Sequence, residues 1–240
     1  PLHSNFWREH SELWRQGREG YFSRSFDYGQ PAVRAYYRSL VEETLERYDM
    51  AGLELDFLRE PFLFSQGQEE AGMAILTEWL GEIRALVEKR GRQRGHAIKL
   101  AMRCPSRPEV NTRFGLDPVG WAKRGWFEVL VVSPRWTSIE FDMPLPEWRR
   151  LLAGTGVTLL GGLEIMLYAG SGAPQRRIIP EEAFGAAAQV LHSGADGVYL
   201  FNYFQDDFAQ QAWGQHAAYQ RGLRTLGSLD ELGRVARTHV

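Results

Sequence analysis

A single cysteine, Cys104, leaves no partner for an intramolecular disulfide and no thiolate cluster for a metal. Neither sign of charge is in excess. Lys and Arg number 28 against 30 Asp and Glu, for a net charge of −2, and the two signs are interspersed. That balance gives no electrostatic footprint for nucleic acid or for a membrane surface. No apolar run approaches the ~18 residues of a membrane span, and no signal peptide opens the sequence. The spacings H-x-H and H-E-x-x-H, the G-x-S-x-G elbow, the G-x-G-x-x-G fingerprint and the P-loop are all missing. Zinc, serine-nucleophile and nucleotide chemistries therefore lose their usual signatures. No cofactor is implied.

What is present is a chain of 240 residues, 44% apolar and 24% charged, enough for a sizeable core in one globular domain over 1–240. Aromatic residues make up 12%, eight of them Trp. In a core they pack, and in a cleft they stack against ligands.

One stretch organises the rest. Gly52-Leu53-Glu54-Leu55-Asp56-Phe57-Leu58-Arg59 alternates apolar and acidic residues with period two, which puts Leu53, Leu55 and Phe57 on one face of a strand and Glu54 and Asp56 on the other. Carboxylates on an inward face must be paired, hydrogen-bonded or used. Residues 97–104 form a second strand pattern with Lys99 and Arg103 on one side. The expectation is that Glu54 lies deep and pairs with Lys99 or Arg103, while Asp56 lies at the mouth. Phe127–Ser133 reads as a strand covered on both faces. Residues 157–165 end in Gly161-Gly162-Leu163-Glu164, and 197–204 end in Phe201-Asn202-Tyr203-Phe204.

Between these runs lie helical patterns. Residues 1–30 read as a long loop with one short helix near Trp7–Trp14. Pro31 opens a helix to about Asp49, and an apolar stripe through Leu76, Leu80, Ile83 and Val87 runs from about Glu69 to Arg90. Shorter helices are expected at Pro118–Arg124, Pro144–Ala153, Pro180–Ser193 and Phe208–Leu226. Five strand-like runs alternating with helices imply an α/β fold with a parallel sheet. Polar groups at the ends of several strands favour a (β/α)8 TIM barrel over an open doubly wound sheet, because barrel sites sit at the C-terminal mouth. A complete barrel has eight strands, so a fragment with its first strand at an exposed edge is expected.

The stretch from Tyr48 to Arg59, preceded by Phe26-Asp27-Tyr28-Gly29-Gln30-Pro31-Ala32-Val33-Arg34, resembles bacterial glycosyl-hydrolase-like TIM-barrel proteins, whose P-x-V-R helix leads into a D-G-I-E-L-D-F-x-R strand four. The likeness extends through Phe6-Trp7-Arg8-Glu9-His10, Met102-Arg103-Cys104-Pro105, Gly115 to Trp121 and Ala195 to Asn202. Ala51 stands where that family usually has Asp. The resemblance implies strands four to eight of a barrel, a poly- or oligosaccharide substrate and a secreted or periplasmic location. A more distant likeness is to family 18 chitinases, whose strand four reads D-G-x-D-x-D-x-E. Glu54 and Asp56 match the first two acids, but Leu58 holds the place of the catalytic Glu, which argues against the chitinase mechanism.

In many retaining glycosidase barrels the acids end strands four and seven, and by the resemblance those places fall to Asp56 and Glu164. The chemistry needs two carboxyls flanking the glycosidic bond, about 5–5.5 Å apart for retention and roughly 6.5–9.5 Å for inversion. Glu54, Arg59, Arg103, Arg135, Trp136, Asn202 and Tyr203 are the candidate sugar-binding residues around them. Each has an ordinary alternative: an ion pair for Glu54 and Arg103, a loop anchor for Asp56, barrel packing for the others. The rival class is a non-catalytic carbohydrate-binding barrel.

Overall fold

The computed structural model describes residues 4–135, 138–168, 170, 173–204 and 212–238, with only the backbone at Tyr21. It is a mixed α/β chain with a parallel sheet of five strands: β1 (Gly52–Asp56), β2 (Lys99–Pro105), β3 (Val129–Ser133), β4 (Thr158–Glu164) and β7 (Gly197–Phe201). Strand order follows chain order, with β1 at one end. The chain divides into two compact units, one of Pro1–Met102 and Pro108–Glu128, the other of Arg103–Arg107 and Val129–Val240.

In the first unit, α1 (Asn5–Glu9) starts on Ser4, whose hydroxyl accepts from the Trp7 amide at 3.1 Å. Helix α2 (Pro31–Arg47) carries proline in its first turn, where a missing N–H costs nothing. Helix α3 (Glu69–Arg94) opens on two glutamates, which suit the positive end of the helix dipole. Its buried face runs through Leu76, Trp79, Leu80, Ile83 and Val87. The Trp79 indole donates to the Arg34 carbonyl at 3.1 Å and ties α3 to α2.

Helix α3 is one turn longer than its apolar stripe predicts. Gly91 does not end it but faces inward, where a Cβ would meet the His96 carbonyl at 2.8 Å. The helix stops at Gly95, in the left-handed region at φ 78. A short helix for which the sequence shows no apolar period, α4 (Pro108–Arg113), follows β2, and α5 (Pro118–Lys123) comes next with Asp117 capping Gly120 at 2.8 Å. The Phe64 ring fills the space left by two glycines: a Cβ on Gly72 would come within 2.5 Å of it, and one on Gly115 within 2.9 Å.

In the second unit β4 pairs in parallel with β3 and with β7, Gly161 lying beside Val132 on one side and Val198 on the other. The last four residues of β3 are buried, as its unbroken apolar run requires. Helix α6 (Leu145–Leu151) buries Trp148 completely, with its indole donating to the Ser106 carbonyl at 2.6 Å. Helix α7 (Pro180–His192) packs an alanine-rich face. An added Cβ on Gly161 would lie 2.5 Å from Val190 of α7, and one on Gly162 would lie 2.4 Å from the Ser133 hydroxyl. Two short antiparallel strands absent from the sequence reading, β5 (Met166–Leu167) and β6 (Arg176–Arg177), follow β4. The expected helix over 208–226 is corrected: its first residues lie outside those described, α8 spans His216–Thr225, and α9 spans Leu229–Leu232.

Candidate functional site

The first unit holds a cavity of about 1120 Å³ along β1. Its apolar wall is aromatic, with Trp7, Phe26, Tyr36, Tyr37, Phe62 and Trp79. These rings come from segments far apart in sequence and hold each other: Phe6 stacks on Tyr36 at 4.3 Å between centroids, and Tyr28 on Tyr37 at 5.0 Å. Burial raises the Tyr28 and Tyr37 phenols well above or above their ordinary value, so both remain neutral. Sequence reasoning missed this wall because most of its rings stand in loops or on α2 with no common period.

Glu54, Asp56 and Arg59 line the same cavity. The alternation of β1 is as expected, with Leu53 and Leu55 half-buried and Phe57 buried, but the depth assigned to Glu54 is wrong. Glu54 is exposed, as are Asp56 and Arg59. Alternation fixes which face a side chain takes, while depth depends on what stands beside the strand, and β1 ends its sheet. Asp56 Oδ1 accepts from the amides of Leu58 at 3.0 Å and Arg59 at 3.2 Å, an Asx turn that reverses the chain at the strand end.

The second unit holds Glu164, the last residue of β4. Because Gly161 faces α7, the period of two turns Gly162 and Glu164 to the opposite side of the sheet. Glu164 is only 4% exposed. Burial lifts its carboxyl above the usual carboxylate range, against the opposing pull of the Ile165 and Met166 amides and of the positive charges on Arg103 and Arg177. The Ile165 amide donates to Oε1 at 2.9 Å.

Arg103, 2% exposed, lies over the Phe201 ring at 4.0 Å from its centroid. Asn202, exposed just past β7, takes φ 61, a left-handed conformation that asparagine tolerates better than most residues. Burial, then the charge of Glu164, pushes the Tyr203 phenol well above its ordinary value, so it stays a neutral donor. Among the described residues its buried hydroxyl has no hydrogen-bond partner. Arg135 is half-buried two residues beyond β3. Trp136 lies outside the described residues.

The structure thus brings Glu164, Arg103 and Tyr203 together in one unit and Glu54, Asp56 and Arg59 together in the other. It also shows a half-buried acid that the sequence reading passed over, Glu140. Burial raises its carboxyl, opposed by the Ser106 hydroxyl at 2.8 Å and by the charge of Arg107. Among the described residues no cluster of His, Cys, Asp and Glu could hold a metal ion, and no helix is long and apolar enough to cross a membrane.

No family model matches the chain, and no curated protein matches it. Among solved structures it is similar to an inactive mutant of the GH20 exo β-N-acetylglucosaminidase from Vibrio harveyi, with 10% sequence identity and a TM-score of 0.37. The match covers 95% of this chain and 39% of that one, so the chain spans about two fifths of its neighbour's length.

Proposed function

We propose that this chain is part of a TIM-barrel glycoside hydrolase acting on a poly- or oligosaccharide, with Asp56 and Glu164 as its candidate catalytic acids. The observation that carries the reading is Glu164: a carboxyl at the C-terminal end of a parallel strand, where barrel enzymes place their chemistry, buried and made more basic by that burial. A buried carboxyl beside a phenol whose donor is unsatisfied suits an oxygen-rich ligand. The aromatic wall beside Glu54, Asp56 and Arg59 supports sugar binding by the first unit, since ring faces stack on the apolar faces of sugars while acids and arginines take hydroxyls. The chain-ordered parallel sheet supports the barrel.

A second reading, a carbohydrate-binding protein without hydrolytic activity, is favoured by the turn that occupies Asp56 Oδ1. The two separate in one experiment on the 240-residue chain, using a panel of oligosaccharides and aryl glycosides. Hydrolysis by the wild type, lost by about 10²–10⁴-fold in Glu164→Gln with oligosaccharide binding intact, is the expected result. Binding without cleavage anywhere in the panel establishes the second reading. Neither binding nor cleavage refutes both.

A further inference from the structure

Tyr203 stands two residues past β7, and its neighbours fix its place. Its carbonyl accepts from the Tyr219 hydroxyl at 2.5 Å, and its ring meets the Trp213 indole edge to face, with 5.8 Å between centroids and 85° between planes. Trp213 is 4% exposed and donates through its indole to the Ile178 carbonyl at 3.0 Å. The Ile178 amide in turn donates to the Ile165 carbonyl at 2.9 Å, so these contacts end on the residue next to Glu164. The sheet gives a second and shorter route. Glu164 and Phe201 are register partners in β4 and β7, ~4.8 Å apart, and Tyr203 is two residues further on, which puts its Cα within about 12 Å of the Glu164 Cα. A glutamate and a tyrosine side chain can bridge that interval, and the phenol feels the charge of Glu164. All of these residues belong to the second unit.

Among the described residues the buried Tyr203 hydroxyl has no hydrogen-bond partner, an arrangement that costs free energy until an acceptor arrives. The rings at this end of β7 are already in contact, Phe201 under Arg103 at 4.0 Å and Tyr203 against Trp213. Recognition here therefore falls to polar atoms. We propose that Tyr203 is a specificity-determining residue whose hydroxyl, together with the Glu164 carboxyl, clasps one hydroxyl group of a bound sugar; this rests on the carbohydrate reading above and holds whether the sugar is cleaved or only bound.

A hydroxyl is the group that answers both partners. It accepts from the phenol and donates to Glu164, which keeps acceptor lone pairs in either protonation state even with the Ile165 amide on Oε1. A carboxylate on the ligand could accept from Tyr203 but would set its own lone pairs against those of Glu164. An ammonium would leave the phenolic proton without an acceptor.

The experiment pairs Tyr203→Phe with Tyr219→Phe in the 240-residue chain. Tyr219 is 2% exposed and its hydroxyl is satisfied by the Tyr203 carbonyl, so its removal should lower the melting temperature by a few degrees. Removal of the Tyr203 hydroxyl should leave the melting temperature unchanged or raise it, the opposite of what a structural tyrosine shows. On a 4-nitrophenyl glycoside that the wild type cleaves, or an oligosaccharide that it only binds, Tyr203→Phe should lower kcat/KM or raise Kd by about 2–10-fold. A series of monodeoxy analogues then isolates the contact. The ratio of wild type to variant cancels each analogue's own reactivity, and it should fall to unity for the analogue lacking the clasped hydroxyl while persisting for the others. A melting temperature that falls as in Tyr219→Phe, wild-type kcat/KM or Kd in Tyr203→Phe, or one ratio shared by every analogue overturns the clasp and leaves the carbohydrate reading standing. If the wild type neither binds nor cleaves any sugar of the panel, both are overturned.

Discussion

Replacing Gly161 by alanine adds one methyl group at a point where β4 and α7 are in direct contact. The new Cβ would stand 2.5 Å from Val190 Cγ1, 3.0 Å from Cγ2 and 3.3 Å from Cβ. Val190 is 2% exposed, and a β-branched side chain on a helix has essentially one rotamer, so it cannot swing aside. The strand is held as firmly, with partners on both sides of Gly161. Relief must come from separating helix and sheet, an overpacking cost of about 1–3 kcal/mol, offset by the ~0.5–1 kcal/mol that a strand gains when glycine is replaced. At roughly 2–4 °C per kcal/mol for a chain of this size, the melting temperature should fall by a few degrees. Thermal and urea denaturation of Gly161→Ala, Val190→Ala and the double variant would measure it. The pair should couple, the double variant being more stable than the sum of the singles predicts by about 0.5–3 kcal/mol. A melting temperature at or above wild type, or strictly additive effects, would refute the contact.

Glu182 is buried at the start of α7, accepting from both Arg176 terminal nitrogens at 2.8 and 2.5 Å and from the Ile179 amide at 3.0 Å. Arg176 holds its carboxyl below the usual range, so its contribution is complete above the unfolded carboxyl's pKa and is lost as pH falls through the lower, folded one. Glu182→Gln should cost about 1–3 kcal/mol at neutral pH, less than a fully buried pair because Arg176 reaches water, and should flatten the acid limb of the stability profile. His96 Nε2 donates to Asp49 Oδ1 at 2.7 Å, which raises its pKa. That contribution is complete below the unfolded histidine's value and fades as pH rises through the folded one, so an NMR titration should find His96 raised and Asp49→Asn should bring it down. Burial pushes the Cys104 thiol far up. It should resist a thiol reagent such as Ellman's in the native protein and react promptly in denaturant; prompt native labelling would contradict its burial.

The parts of the fold legible in sequence were those with a period. The alternation in β1, the unbroken run of β3, the stripe of α3 and the glycine pair before Glu164 each correspond to what stands there. The glycine pair was legible because two adjacent residues without side chains mark close approach, here to Val190 on one face and Ser133 on the other. What could not be read depends on distant partners. Glu54 has the right parity, yet its exposure follows from the position of β1 in the sheet, a property of pairing rather than of local pattern. Glu140 carried the same signal as β1, but its distinction comes from Ser106, 34 residues away. The helix at Pro108–Arg113 was obscured by its proline, which marks a first helical turn as readily as a loop.

Phe64 and the two glycines beside it also limit the order in which this sequence can change. Gly72 sits inside a helix, where alanine would be better by about 1 kcal/mol, and the Phe64 ring stands where its Cβ would go. Gly115 is held twice over, by a φ of +77 and by the Glu69 carbonyl 2.6 Å from where its Cβ would stand. A smaller side chain at 64 therefore removes the nearest obstacle at position 72 but leaves 115 barred. Along a line of descent, alanine at 72 is admissible only after the ring is gone, and once it is fixed, the return of phenylalanine at 64 is closed.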